Sequence, residues 1–288
     1  MKINISNIKK AKKFLDQNDC VAIPTETVYG LAANAYSNNA VKKIFKLKNR
    51  PKYNPLIVHY YSLKDLEKDC VLNNNFIKLY RKFSPGPITY ILKLKKESKI
   101  SKNVTNNFNT LAVRFPKHKI TKYLLKILNY PLAAPSANIS SKISAVNSAD
   151  VKNDFGKKIK YILEGGRSSI GLESTIVSLI KKPKILRLGG LETSNINKVL
   201  NHNLRFNLTP SKILVSGQMK LHYSPGLPIR LNIKKPTDNE AYLLLKKPKL
   251  NKNNFFYLSK NGDLKIAAKN LYSTLRKIKK SKFKSIAV

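Results

Sequence analysis

The sequence predicts an α/β protein in which a large first domain is followed by a smaller second one. Short apolar segments such as 20–23 and 88–94 alternate along the chain with segments of helical spacing such as 40–48. This alternation is typical of an open sheet covered by helices. The chain has 288 residues, more than one average domain needs. We therefore expect one large packed unit and one small one.

The composition changes after residue 203, and this change predicts the domain boundary. From residue 204 to 228 the helical and strand periods disappear, while Pro and Gly become frequent. Strand and helix patterns then resume. We predict a first domain at residues 1–203, a linker at 204–228 and a small α/β domain at 229–288.

The individual elements follow from hydrophobic spacing and capping residues. Ser6 can cap a first helix, because Ile8, Ala11 and Leu15 form one apolar face behind it. Ser62 can cap a short helix in the same way. Further helices are predicted at 40–48, 76–83, 120–128, 193–200 and 264–278, and strands at 20–23, 56–58, 88–94, 110–115, 161–163, 174–180, 184–188, 229–233, 255–258 and from residue 131.

Basic residues dominate the charge of the chain. Lys and Arg number 56 against 15 acidic residues, which gives a formal net charge of +41. Such a charge suits nucleic acid or another polyanion. Only 8 of these basic residues are Arg, and the lysines are spread over the whole length among abundant Asn and Ile. Because a coding bias explains the lysines at least as well as nucleic-acid binding does, the few arginines are the more informative cations.

The cysteines and the N-terminus indicate the cellular setting. Cys20 and Cys70 are too few for a disulfide framework or a cysteine-rich zinc site. Residues 1–15 lack the pattern of a signal peptide, and no apolar run has the length of a membrane span. We expect a cytoplasmic protein that is not associated with a membrane.

Several predicted strands end in turns rich in hydroxyl, amide and guanidinium groups. The residues at these ends are Thr25 and Thr27, Arg50 and Asn54, Thr89, Arg114, Ser136 and Asn138, and Ser174 and Thr175. Open α/β sheets bind ligands at such strand ends. Each residue alone is explained as well by a role in a cap or turn. Together, and with almost no acid among them, they predict a concave site for an anion that carries a sugar or an amide.

The segment from Lys48 to His59 is the centre of this predicted site. Arg50 offers a planar fork of donors and Lys48 a point charge, both suited to phosphate or carboxylate. The apolar run at 56–58 predicts a buried strand that holds His59 at its end. Taken alone, the segment is equally consistent with a basic surface loop before a strand.

The common nucleotide-binding and nucleophile motifs do not occur. Gly166 and Gly171 have the spacing of a P-loop, but Leu172 and Glu173 stand where Lys and Ser or Thr are required. There is no Gly-x-Ser-x-Gly turn, and the four histidines lack zinc-ligand spacing. The remaining interpretation is catalysis by positioning and charge neutralisation, as in nucleotidyl transfer.

Six motifs occur in a fixed order over about the first 190 residues. They are Pro24-Thr25-Glu26-Thr27-Val28-Tyr29-Gly30-Leu31, Lys48-x-Arg50-Pro51-x-x-Asn54-Pro55-Leu56-Ile57-Val58-His59, Ser84-Pro85-Gly86-Pro87-x-Thr89, Arg114-x-Pro116-x-His118, Ala134-Pro135-Ser136-Ala137-Asn138 and Glu173-Ser174-Thr175-Ile176-Val177. In this combination they resemble the threonylcarbamoyl-AMP synthase family, with its YrdC-like domain. The segment from Ser216 to Gly226 resembles the linker of the longer, two-domain members.

The resemblance implies both a fold and a reaction. The fold would be a YrdC-like twisted open mixed sheet with a basic concave site, followed by a linker and a small Rossmann-like α/β domain that is shortened at Val288. The reaction would join L-threonine, bicarbonate and ATP into threonylcarbamoyl-adenylate and pyrophosphate, with Mg²⁺ on the ATP. A separate transferase complex would then use the product to modify the adenosine next to the anticodon of tRNA.

The resemblance also implies roles for individual residues. Lys48 and Arg50 would be catalytic, since they would neutralise phosphate or carbamate charge. L-Threonine would be bound by Thr27, His59, Arg114, Ala134 and Ser174, with Arg114 paired to its carboxylate. ATP would be bound by Arg50, Asn54, Thr110, Ser136, Ser144, Arg187 and Tyr223. No residue is expected to bind a metal directly, and Tyr223, with His222, would close over the nucleotide.

The sequence departs from the family pattern at a few positions. Ser141 stands where the family usually has Gly, and Ala145-Val146 where it usually has Pro-Thr. Ser178 replaces a usual Asp. The first two departures concern the shape of the loop that carries Ser144.

Two other functions fit parts of the sequence. An RNA-binding or ribosome-associated module would bind RNA, with tRNA as one candidate, in the basic concavity without ATP turnover. Its binding would be sensitive to salt. The set formed by His59, Arg114 and Ser174 favours a small amino acid instead. A carbamoyl-handling domain of a metal-centre maturation enzyme would share the fold, but zinc-finger and acyl-phosphatase-like segments are missing from the sequence.

Overall fold

The computed structural model describes residues 3–208, 215–219, 222–250 and 252–288. Parts of the predicted linker, residues 209–214 and 220–221, lie outside the described residues, and so do Lys220 and Leu221 of the linker motif. The helices are α1 Ile5–Asp16, α2 Asn38–Lys48, α3 Leu63–Leu66, α4 Asn74–Phe83, α5 Lys102–Thr105, α6 Lys119–Ile127, α7 Ser148–Phe155, α8 Thr193–Leu200 and α9 Leu264–Lys280. The strands are β1 Val21–Ile23, β2 Gly30–Asn34, β3 Ile57–His59, β4 Cys70–Val71, β5 Ile88–Leu94, β6 Thr110–Arg114, β7 Leu132–Ala133, β8 Tyr161–Ile162, β9 Thr175–Ser178, β10 Lys184–Arg187, β11 Arg205–Phe206, β12 Ile229–Arg230, β13 Glu240–Lys246, β14 Phe255–Ser259 and β15 Ser285–Ala287.

The first unit is built on a large mixed sheet. Its strands run in the order β11-β10-β9-β5-β6-β3-β7-β2-β1-β8, and β4 pairs with β5 off this path. Four of the pairs are parallel, namely β3 with β6, β5 with β9, β1 with β8 and β10 with β11, and the other pairs are antiparallel. The prediction of an open mixed sheet is confirmed.

The second unit is a small parallel sheet with one long helix. Its strand order is β12-β15-β13-β14, and α9 packs on this sheet. The buried residues Ala241 and Leu243 of β13 and Ile286 of β15 share one hydrophobic cluster with Tyr272 and Leu275 of α9. No helix in the described part of the chain is long and apolar enough to cross a membrane.

Caps set the ends of the helices near the predicted site. Ser37 caps α2, since its side chain accepts a hydrogen bond from the backbone N–H of Ala40. Asn49 ends the same helix in the left-handed conformation, with φ at 49°. Lys48 is therefore the last residue of α2, and Arg50 lies just beyond it. The expected cap of α1 was wrong, because Asn4 accepts the bond from the N–H of Asn7 and Ser6 lies inside the helix.

Some strands were not predicted from the sequence. Strand β2 begins at Gly30, shortly after the turn that carries Thr25 and Thr27, and its pairing with β1 and β7 makes 30–34 a central strand. Strand β13 was not predicted either, although its residues Ala241 and Leu243 are buried in the core. The short helix α7 was likewise not predicted.

One face of the large sheet carries an apolar centre between two polar ends. Buried Ile57, Ile91, Ala112 and Ile176 form the centre, and Val215 of the linker covers them. The parallel register of β3 and β6 places His59 opposite Arg114 at one end of this face. Because side chains alternate along a strand, Thr110 lies on the same face of β6 but at the opposite end.

Candidate active site

A narrow cavity lies at the end of the sheet face that carries His59 and Arg114. Its lining residues include Thr27, His59, Arg114, Ala134, Ser136, Glu173, Ser174, Arg187, Ser216, His222 and Tyr223. The volume of the cavity is only about 30 Å³, too small for an amino acid. Three of the lining residues, Ser216, His222 and Tyr223, belong to the predicted linker.

Lys48 is buried beneath the turn that follows β7. Its Nζ atom donates hydrogen bonds of 2.5 Å to the carbonyl oxygens of Ser136 and Asn138. Burial lowers the pKa of Lys48 well below its usual value, and nearby Arg50 lowers it further. The Ser136 hydroxyl in turn donates to Oδ1 of Asn138 at 2.6 Å. The lysine therefore holds this turn from below.

Arg50 joins its own loop to the segment after residue 214. Its Nε donates to the carbonyl of Asn54 at 3.0 Å, and its Nη2 donates to Asn54 Oδ1 at 2.6 Å. The same Nη2 lies 2.8 Å from the hydroxyl oxygen of Ser216. Arg50 and Asn54 are thus brought together as predicted, and the contact with Ser216 is a link that the sequence did not reveal.

Arg114 is fixed by a buried carboxylate. Its Nη2 lies 2.6 Å from Oε1 of Glu26, and the other oxygen of Glu26 accepts the backbone N–H of Lys117 at 2.9 Å. Neither side chain of the Arg114–Glu26 pair is more than 8% exposed. Glu26 lies within a motif but was not singled out as a site residue. The available signal was the rarity of acids, since only 15 occur in the chain.

His59 is neutral and offers an unused atom beside Arg114. Burial lowers its pKa well below the usual value, and the charge of Arg114 adds to the effect. Its Nδ1 is buried and makes no hydrogen bond to the described residues. Buried polar atoms normally have a partner, so this atom is available to a ligand.

Ser174 and Arg187 form the opposite wall of the cavity. The Ser174 hydroxyl lies 2.7 Å from that of Thr89, and its carbonyl accepts bonds from Nε and Nη2 of Arg187 at 3.2 Å and 2.7 Å. Arg187 Nη1 also donates to the carbonyl of Ser216 at 3.1 Å. Both Arg50 and Arg187 therefore hold the same residue of the linker.

Ser144 contacts a second buried carboxylate rather than solvent. Its hydroxyl donates to Oε1 of Glu173, the residue before Ser174. The loop before it turns at Ser141, whose φ of 68° lies in the left-handed region that favours glycine. The backbone at Ser141 is therefore strained, because a serine side chain is disfavoured in this region. Glu173, like Glu26, was not predicted as a site residue, although it begins one of the six motifs.

His222 and Tyr223 approach the cavity from the linker. Their rings lie 3.9 Å apart, and Tyr223 adopts a left-handed φ of 56°. Burial, with help from the cations Arg187, Arg50 and Lys48, lowers the pKa of His222 to about 3. The imidazole is therefore neutral and adds no charge to the basic site.

The remaining predicted residues divide into two groups. Thr27 and Ala134 line the cavity, and the hydroxyl of Thr27 lies 2.8 Å from that of Thr25. Thr110 lies elsewhere, in a larger surface cavity of about 1030 Å³ that it shares with Lys184 and Arg205. Lys48, Arg50 and Ser144 do not line the narrow cavity but hydrogen-bond to lining residues, namely Ser136, Ser216 and Glu173, and Asn54 is bound to Arg50. Thr110 is separate from the narrow cavity.

The charges of the site favour an anionic ligand. Lys48, Arg50, Arg114 and Arg187 are all buried around it, against the two carboxylates of Glu26 and Glu173. Across the described ranges, no group of three or more His, Cys, Asp or Glu side chains is arranged to hold a metal ion. The arrangement can bind phosphate and carboxylate groups by hydrogen bonds and charge, with hydroxyls and a neutral imidazole beside them.

Family comparison accounts for both units of the chain. A family model for Sua5, YciO and YrdC proteins, described as telomere recombination, matches residues 13–189. A second, described as the C-terminal domain of threonylcarbamoyl-AMP synthase, matches residues 191–288. The chain belongs to the threonylcarbamoyl-AMP synthase family.

The chain is also similar in sequence to individual members of the family. The threonylcarbamoyl-AMP synthase of Pyrococcus abyssi is 40% identical over 228 residues, which cover 76% of this chain and 66% of that protein. The one of Bacillus subtilis is 37% identical over 233 residues, covering 79% and 67%. The aligned segment thus spans about two thirds of the length of these two synthases.

Solved structures agree with the fold of both units. The crystal structure of P. abyssi Sua5 complexed with L-threonine superposes with a TM-score of 0.91 at 32% identity, and the match covers 100% of this chain and 89% of the other. Escherichia coli YciO, at 21% identity and a TM-score of 0.61, shares the fold over 67% of this chain.

Proposed function

We propose that this chain is an L-threonylcarbamoyladenylate synthase, a nucleotidyltransferase that joins L-threonine, bicarbonate and ATP and releases pyrophosphate. The observation that carries the proposal is the pairing of two subsites in one cavity. A guanidinium and a neutral imidazole, Arg114 and His59, lie together at one end of the sheet face. Arg187 also lines the cavity, and the buried Arg50 and Lys48 hydrogen-bond to its lining residues Ser216 and Ser136. The first set suits a small amino acid and the second a triphosphate.

The proposed chemistry consists of two bond-forming steps. The threonine nitrogen forms a bond to the carbon of bicarbonate, and water leaves as the carbamate forms. A carbamate oxygen then attacks the α-phosphorus of ATP, and the bond to pyrophosphate breaks. No enzyme nucleophile is required, so the protein contributes positioning, charge neutralisation and exclusion of water.

The threonine subsite follows from the contacts of Arg114 and His59. We assign the carboxylate of threonine to Arg114, whose guanidinium is held in place by Glu26. The free Nδ1 of His59 would accept a hydrogen bond from the ligand. Thr27, Ala134 and Ser174 would complete the wall.

The nucleotide subsite would use the cations and the linker. We assign Arg50, Asn54, Ser136, Ser144 and Arg187 to ATP, with Tyr223 closing over it. Lys48 and Arg50 would neutralise the charge that develops on phosphate or carbamate. Thr110 is four residues of strand from Arg114, or about 13 Å, so it would contact only the part of the nucleotide farthest from threonine.

The linker would act as a lid in this reaction. Ser216 is held by Arg50 and Arg187, the same two cations that are assigned to ATP. Entry of ATP would therefore compete with these contacts, and closure afterwards would protect the labile carbamate from water. Mg²⁺ would accompany ATP on its phosphate oxygens, which is how this ion is commonly bound. A tRNA threonylcarbamoyl transferase complex in the cytoplasm would take the product.

The test is pyrophosphate release by the purified full chain with ATP, Mg²⁺, bicarbonate and L-threonine. We expect release that falls to background when either threonine or bicarbonate is omitted. Release that continues without threonine would contradict the substrate assignment. Absence of release from folded protein, together with RNA binding that weakens steeply with salt, would support the RNA-binding alternative instead.

A further inference from the structure

Helix α9 of the second unit packs against the loop that carries Ser144. Ile143 and Val146 of this loop, together with Val28, share a buried cluster with Tyr272 and Leu275 of α9. The first and second units therefore meet directly behind the nucleotide subsite, and their contact is partly apolar.

Arg276 of α9 forms hydrogen bonds across this contact to the first unit. It donates to the carbonyl oxygens of Ile143 and Ser144 at 2.5 Å and 3.3 Å, and to both carboxylate oxygens of Asp154 at 2.9 Å and 2.8 Å. The bidentate pair fixes the guanidinium, since both forks are used. The position of Ser144 thus depends on a residue of the second unit.

Tyr272 of the same helix reaches the cavity wall itself. Its hydroxyl donates to Oε2 of Glu173 at 2.6 Å, while Ser144 donates to Oε1 of the same carboxylate. Tyr272 and Glu173 are 4% and 8% exposed. A buried carboxylate is costly unless its oxygens are hydrogen-bonded, so the tyrosine hydroxyl has an electrostatic role that a phenyl ring would not fill.

The ring of Tyr272 also supports the lid. It stacks on the ring of Tyr223 with a centroid distance of 5.7 Å and an interplanar angle of 23°. One residue of the second unit therefore contacts both the lid tyrosine and the carboxylate that holds Ser144.

We infer that Tyr272 is a positioning residue of the nucleotide subsite, through which the second unit completes the active site by orienting Glu173 and, through it, Ser144. The inference rests on the proposed function, because it takes Ser144 and Tyr223 as ligands of ATP. The inference gives the second unit a role in ATP binding, whereas its packing against the first unit does not by itself require such a role.

The experiment compares two tyrosine-to-phenylalanine variants of the full chain. Tyr272→Phe removes the tyrosine hydroxyl that donates to Glu173 but keeps the ring that stacks on Tyr223. Tyr242→Phe is the matched control, since it removes a 2.7 Å hydrogen bond to the carbonyl of Ile233 within the second unit. The dissociation constant of ATP is measured by calorimetry, and KM and kcat by pyrophosphate release.

We expect Tyr272→Phe to weaken ATP binding about tenfold, the effect of one hydrogen bond to a charged group. The KM for ATP should rise by a similar factor with kcat changed less than about twofold. Tyr242→Phe should leave these values unchanged. An ATP affinity in Tyr272→Phe equal to that of the control would overturn the inference, even if the wild-type protein releases pyrophosphate as proposed.

A double-mutant comparison with Ser144→Ala distinguishes a positioning role of Tyr272 from a general loss of stability. If Tyr272 acts through Glu173 on Ser144, Tyr272→Phe should weaken ATP binding less in the Ser144→Ala background than in the wild type. Additive effects would contradict the route through Glu173. Binding of ATP without threonine-dependent turnover would refute the proposed reaction while leaving the role of Tyr272 measurable, and a wild-type protein that binds no ATP would refute both.

Discussion

Within the described residues, two Arg–Glu pairs have almost equal length but very different surroundings. Arg114 and Glu26 meet at 2.6 Å beside the cavity, with side chains that are 5% and 8% exposed. Arg230 and Glu240 meet at 2.7 Å in the second unit, where the arginine is 50% exposed. Distance alone would make the two pairs equivalent.

Their other partners distinguish the two pairs. Glu240 receives both Nε and Nη2 of Arg230, and also hydrogen bonds from Thr237 and Ser285, so it fastens the small sheet to the turn before it. Glu26 receives one nitrogen of Arg114 and one backbone N–H, and Arg114 also lines the cavity. Arg230 and Glu240 stabilise the small sheet, whereas Glu26 fixes an arginine that lines the cavity proposed to bind threonine. Burial and the neighbouring cavity, not the length of the ion pair, distinguish the pair that we propose to act in ligand binding.

Removing the arginine of each pair should give the largest difference. We expect Arg114→Ala to lower kcat/KM for threonine by roughly a hundredfold to a thousandfold, because the ligand carboxylate loses its partner and Glu26 is left buried and unpaired. Arg230→Ala, the matched control, should retain activity and lose only thermal stability. The measurements are pyrophosphate release and thermal unfolding.

A folded variant is needed to interpret that result. Arg114→Lys keeps the charge but lacks the planar fork, so it should fold and still show a large rise in the KM for threonine. Normal threonine kinetics in this variant would contradict the assignment of Arg114 to the carboxylate.

Changing the acid of each pair to its amide should have a smaller effect. Glu26→Gln keeps the shape of the side chain but loses the charge that orients Arg114, so we expect the KM for threonine to rise about tenfold with kcat nearly unchanged. Glu240→Gln should leave KM as it is and lower the melting temperature. Equal KM values for threonine in Glu26→Gln and Glu240→Gln would contradict a special role of Glu26 in threonine binding.

The smallest effect should appear in the pH dependence of stability. Arg230 and the neighbouring backbone N–H of Thr237 lower the pKa of Glu240 to about 2, from an ordinary value of 4.5. A carboxyl with a lowered pKa in the folded state stabilises the fold above its ordinary pKa, and this contribution is lost as the pH falls toward the folded value. The gap in urea midpoint between the wild type and Glu240→Gln should therefore be full near neutral pH and shrink below about pH 4.5. A gap that stays constant down to about pH 3 would contradict this origin.

Much of the local structure could be predicted from the sequence, because hydrophobic period and caps act over a few residues. Strand β5 was predicted with its observed bounds, and Ser62 caps α3 as expected. The cap of α1 was predicted wrongly, and strand β2 was not predicted. In the first case Asn4 competed successfully with Ser6, and in the second the sheet imposed strand geometry on a segment with turn-like composition.

The sequence by itself determined the motifs and the α/β class, and the strand-end chemistry pointed to an anion site. Tertiary structure alone decided which groups meet. Glu26 and Arg114 are 88 positions apart, and Glu173 and Tyr272 are 99 positions apart. No local pattern specifies such contacts, because they depend on the order of strands in the sheet and on where α9 packs. For the same reason, the residues of β6 separate in the fold, with Arg114 in the candidate site and Thr110 at the far end of the sheet face.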